Sequence, residues 1–88
     1  MEERKPFVDL IARLWELGSA NDAADRGYLD VAERIRYEAS AEIRALLDAH
    51  PSISEVLPDL AGQLDDGRLA ESGWSTQLDH AHTYLDAL

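Results

Sequence analysis

Residues 18–39 read GSANDAADRGYLDVAERIRYEA, and the fold turns on which glycine in this stretch, Gly18 or Gly27, ends a helix. Upstream of it, Phe7, Leu10, Ile11, Leu14 and Leu17 recur at helical spacing and form one apolar stripe. The stripe stops at Leu17, and Gly18 follows as a C-terminal cap, the position where glycine takes the left-handed conformation freely. Pro6 suits the first turn, where its missing N–H has no intrahelical partner to lose. A first helix is therefore predicted over 6–17.

Within the quoted stretch the charges argue for continuity. Asp22, Arg26, Asp30, Arg34 and Glu38 lie four apart with alternating sign, a ladder down one helix face. Ala20, Ala24, Tyr28, Val31, Ala32, Ile35, Ala39, Ile43 and Leu46 run down the other side as an apolar face rich in alanine, which favours close approach of a neighbouring helix. This predicts one long helix over 20–49, opened by a Ser19 cap with Asp22 three residues on and continuous through Gly27. It stops at His50, because Pro51 disfavours helical geometry in its predecessor.

Further on, Ser52 and Glu55 are spaced as a capping box, and Ile53, Val56, Leu57, Leu60, Ala61 and Leu64 form an apolar face. A third helix is predicted over 54–66, with Pro58 tolerated only if residues 53–57 are a preceding turn. Residues 68–73 read as a connector. Trp74, Leu78, Ala81, Leu85 and Leu88 are spaced 4-3-4-3, the seam of a bundle helix over 74–87. No segment shows the two-residue alternation of a half-buried strand. The expectation is an all-α fold in one domain, a small bundle of about four helices organised on one long central helix.

The chain has 88 residues, 18 of them Asp or Glu against 8 Lys or Arg, for a formal charge of −10. That charge repels phosphate backbones and anionic lipid, so neither direct nucleic-acid binding nor membrane association is expected. Residues 51–88 hold seven acids and a single base, Arg68, for −6. There is no cysteine, which excludes thiolate metal sites and fits a reducing compartment. No apolar leader and no apolar run long enough to span a bilayer is present, so a cytoplasmic location is expected.

No catalytic signature is found and no cofactor is expected. Asp79, His82 and Asp86 share a helix face at spacings that could offer carboxylate and imidazole ligands to a metal ion, with His50 as a fourth. Three ligands on one helix rarely converge, so a solvated polar face is the expected reading and no metal site is expected. Asp65-Asp66-Gly67 lacks the alternate acids of a calcium loop.

Val8 and Trp15, one heptad apart, lie off the main stripe of the first helix. They leave that helix apolar on more than one side: either it is buried between two neighbours, or Val8 and Trp15 form a partner or self-association surface. Trp74 is expected in the core.

The reading this favours is a small acidic protein–protein interaction module, self-associating as a homo-oligomer, a dimer. It acts as a regulator or inhibitor on a partner with a basic surface, of which phage-type inhibitors and DNA mimics are a subset. Glu55, Asp59, Asp65, Asp66, Glu71 and Asp79 would steer the encounter, and Trp15 with Val8 would anchor it. The alternatives are a structural protein whose role is its own helical assembly and, third, a small metal-dependent hydrolase.

Overall fold

The computed structural model describes residues 4–88. Among them are five α-helices: α1 (Lys5–Asp25), α2 (Leu29–Ala49), α3 (Ser52–Val56), α4 (Leu60–Asp65) and α5 (Trp74–Ala87). A π-helical run, Leu69–Gly73, leads directly into α5. No strand occurs among the described residues. The fold is a small all-α bundle in which α1 packs against both α2 and α5.

The break in the N-terminal half falls at Gly27 rather than at Gly18. The expected helices 6–17 and 20–49 are instead two helices of equal length, 21 residues each, about 31 Å long at 1.5 Å per residue. Gly27 adopts φ +91°, the left-handed region. Around it the Tyr28 N–H donates to the Ala23 carbonyl (2.9 Å) and the Gly27 N–H to the Ala24 carbonyl (3.0 Å). This six-to-one and five-to-two pair is the Schellman closure of a helix C-terminus. Continuity of the charge ladder does not outweigh it. Each exposed pair contributes about 0.2–0.5 kcal/mol, whereas glycine inside a helix costs about 1 kcal/mol relative to alanine. None of the five ladder residues forms an ion pair among the described residues.

Gly18 lies inside α1 and is buried, so Ser19 is a mid-helix residue and caps nothing. The glycine is required there for a different reason. A β-carbon at position 18 would stand 2.6 Å from Cη2 and 2.9 Å from both Cζ2 and Cζ3 of Trp74. The indole of α5 therefore rests on the bare backbone of α1.

Pro51 ends α2 at Ala49 as expected. The predicted third helix over 54–66 is divided. α3 and α4 flank Leu57-Pro58-Asp59, because the Pro58 ring would strike the carbonyl four residues back in a continuous helix. The Leu57 N–H still reaches the Ile53 carbonyl (2.8 Å), and Leu60 N–H the Leu57 carbonyl (3.2 Å), which carries the chain round the corner. Pro51 occupies the N-cap of α3 and no side chain caps it, so the Ser52–Glu55 box does not form. α5 spans the predicted 74–87.

The core joins Phe7, Leu10, Leu14 and Leu17 of α1 to Ala39, Ile43 and Leu47 of α2, to Ile53, Leu57 and Leu60, to Leu69, and to Leu78, Ala81 and Leu85 of α5. Burial of each of the larger side chains contributes about 1.5–3 kcal/mol. Polar links fix the layers. Arg13 reaches Glu16 (2.9 Å) and Glu42 of α2 (2.8 Å). Arg36 donates to Asn21 Oδ1 (2.6 Å), and Asn21 Nδ2 donates to the Glu71 carbonyl (3.0 Å), so α2, α1 and the π-helical run are laced through one asparagine. At the other end Arg4 Nη1 donates to the Leu85 carbonyl (3.2 Å).

Candidate protein-binding surface

α1 is apolar on two sides, and the fold uses only one of them. At about 100° per residue, Phe7, Leu10, Leu14 and Leu17 point into the core. Val8, Ala12, Trp15 and Ser19 turn to its flank, with half-buried Ile11 at the border between the two. From Val8 to Ser19 this flank carries no charged side chain. Val8 is 52% and Trp15 55% exposed, so the two residues expected to form an apolar anchor are both presented to solvent. α1 is nonetheless packed between two neighbours, α2 and α5, on its other side.

Trp15 is exposed but not loose. Its ring lies 6.1 Å from that of Trp74 at an interplanar angle of 48°, and the half-buried Trp74 is in turn seated on Gly18. The sequence Gly18–Trp74–Trp15 is a stack built from the backbone outward. A supported aromatic loses little rotamer freedom on binding, which is the property that makes such residues effective anchors.

All six predicted steering acids are exposed, but they are not equivalent. Asp65 is paired with Arg44 of α2. Asp66 accepts from the N–H of Arg68 (2.9 Å) and from its Nε (2.9 Å). These contacts, the backbone hydrogen bond first, hold its carboxyl below the ordinary aspartate value. Glu55, Asp59, Glu71 and Asp79 form no ion pair among the described residues and keep their full field. The acids stand on α3, α4 and α5 and the turns between them, whereas the anchor stands on α1. Asp79, with His82 and Asp86, falls about 160–220° around α5 from Tyr84, whose ring meets Phe7 of α1 at 4.6 Å. The predicted interface thus has two parts on different elements.

Two features were missed from sequence. Asp22 is exposed and continues the Val8–Trp15 line by one further heptad, which puts a carboxylate at the end of the uncharged flank. The spacing 8, 15, 22 was available to reveal it. Tyr28 and Val31, expected in the buried stripe of a continuous helix, are 62% and 45% exposed, and Leu29 and Tyr37 are also open to solvent at 61% and 77%. The break at Gly27 rotates the register of everything before it relative to α2, so a single stripe through both halves does not exist.

Among the described residues no three His, Asp or Glu side chains come together as a metal site, and Asp79, His82 and Asp86 are no exception. No helix among the described residues is long and apolar enough to cross a membrane. Comparison with protein-family models, with curated proteins and with solved structures gives no match.

Proposed function

We propose that this chain is an acidic protein-binding module that docks through the uncharged flank of α1 on a partner with a basic surface, in a cytoplasmic setting. The observation that carries the reading is Trp15, more than half exposed yet held in place by Trp74. A supported indole on a rigid helix is a binding anchor. The carboxylates of Glu55, Asp59, Glu71 and Asp79, which form no ion pair among the described residues, supply long-range attraction to a cationic partner. The role is that of a regulator that occludes a basic surface, not that of an enzyme. A partner whose basic surface otherwise holds nucleic acid fits the same chemistry.

The test is capture from the native lysate on the immobilised chain. Wild type is expected to retain a protein that Trp15→Ala does not, with release as salt rises, because exposed charges separated by more than about 8 Å are screened at 0.15 M. Competition by a short DNA duplex then identifies a nucleic-acid-binding partner. Retention of the same proteins by wild type and W15A, or release independent of salt, would overturn the proposal.

A further inference from the structure

A second surface, separate from the α1 flank, lies on the outer side of α2. Tyr37 is 77% exposed, more than any other large apolar side chain in the molecule's described part. It sits about 160° around α2 from Ala39, about 120° from Ile43 and about 80° from Leu47, all three buried, so it lies on the outer side of the helix. Asp30 precedes it by seven residues and Arg44 follows it by seven. Heptad spacing drifts by only about 20° per step on a straight helix, so the three form one line: an acid, an aromatic, a cation.

A line of this kind is complementary to itself in one orientation only. Set parallel, two copies oppose Asp30 to Asp30 and Arg44 to Arg44. Set antiparallel about an axis through Tyr37, residue i faces residue 74 − i, so each Asp30 meets Arg44 of the second copy and the tyrosines meet at the centre. We propose that two copies of this chain pair antiparallel through the outer face of α2, about a two-fold axis at Tyr37.

The surroundings suit this contact. A shallow groove beside Tyr37, lined by Arg36, Ser40, Ala41 and Arg44 of α2 and by Leu64, receives the edge of the second tyrosine. Arg44 is already steadied by Asp65, and a guanidinium carries five N–H donors, enough for a second carboxylate. The two-fold makes the interface isologous and closed, which gives a dimer and not a filament. One helix face from each copy buries less than about 1,200 Å² in total, so the dimer is weak and reversible. The mutual repulsion of two chains at −10 is confined by salt to within about 8 Å at 0.15 M.

Sedimentation velocity at chain concentrations from about 10 μM to about 1 mM covers the range in which such an interface populates a dimer. Wild type is expected to dimerise reversibly, and Tyr37→Ala to weaken association at least tenfold. D30R and R44E are each expected to be monomeric, because each opposes like charges twice. Mixed in equal amounts, they are expected to form a heterodimer in which both contacts again oppose unlike charges, one as the native Asp30–Arg44 pair and the other with its signs reversed. If R44E, which sets an acid beside Asp65, fails to fold, R44E/D65R takes its place in the mixture. A wild-type chain that stays monomeric, reversed variants that dimerise like wild type, or a mixture that remains monomeric would each overturn the proposal. Trp15→Ala should leave the dimer unchanged, and loss of the dimer in W15A would assign it to α1 instead. The α1 docking reading and the α2 dimer therefore stand or fall separately.

Discussion

The six-membered ring of Trp74 covers the α-carbon of Gly18 so closely that any side chain at position 18 would have to displace it. Gly18→Ala gains about 1 kcal/mol of helix propensity but forces the indole outward, and overpacking of this kind costs about 1–3 kcal/mol. The expected outcome is a net destabilisation of about 1 kcal/mol, with increased mobility of Trp15. Gly62→Ala is the control. It lies in α4 with nothing within 4 Å of an added β-carbon, and it should stabilise by about 0.5–1 kcal/mol. Gly27→Ala has equal space but φ +91°, and should destabilise by about 1–2 kcal/mol. Urea unfolding of the three variants checks both the signs and their order.

Trp15 and Trp74 should separate binding from folding. Trp15→Ala removes a half-exposed ring and one aromatic contact, and is expected to lower stability by about 0.5–1.5 kcal/mol. Trp74→Ala opens a gap against α1 and is expected to cost at least about 3 kcal/mol. Guanidinium melts followed by circular dichroism distinguish the two, and equal losses would show that Trp15 is a core residue.

Gln77 is buried to 2%, with its Nε2 at the edge of hydrogen-bonding reach of Gln63 Oε1 (3.5 Å) and its own Oε1 without a partner among the described residues. A buried acceptor left unpaired costs about 1–3 kcal/mol. The nearly isosteric Gln77→Met should therefore raise the urea midpoint by the equivalent of about 1 kcal/mol with an unchanged slope. A lower midpoint would mean that the glutamine is better satisfied than its contacts indicate.

Asp66 should titrate below 3.8, the ordinary aspartate value, when its carboxyl carbon is followed by NMR. Because the folded pKa is the lower one, the contribution to stability is present above the unfolded pKa and is lost as pH falls through the folded value. The wild type and Asp66→Asn should therefore differ at neutral pH and converge in acid. The group is exposed, so the difference is small, and its direction is what the experiment reads.

How much of this was legible beforehand differs from element to element. The start of α5 at Trp74 and the end of α2 before Pro51 could both be read, because a bundle seam and a proline act locally. The core positions of α1 were legible for the same reason. The two glycines were not. A glycine in a helical pattern signals either a left-handed cap or the close approach of another group, and the group approaching Gly18 is 56 residues away in sequence. Weighing magnitudes favours the observed break, since the penalty at Gly27 exceeds any one ladder pair across it. Val8 and Trp15 stood out because they lie off the main stripe, a property of one helix alone. Tyr37 lies outside the apolar stripe of α2, and a single aromatic on a polar helix face carries no periodic signal. Its proposed role in pairing rests on Asp30 and Arg44, which stand seven residues to either side of it.

The turn at Gly27 also orders events in time. Only Arg26, Gly27 and Tyr28 separate α1 from α2, so these two helices can meet with almost no loop to close, whereas the Arg4–Leu85 contact spans 81 positions. Closure entropy rises with loop length, and contacts local in sequence form fastest. The α1–α2 hairpin is thus the expected folding nucleus, and α5 the element that docks onto it late. In stopped-flow experiments Ile43→Val should mainly slow refolding and Trp74→Phe mainly speed unfolding. The ring that supports Trp15 is then among the last parts of the molecule to lock and the first to let go.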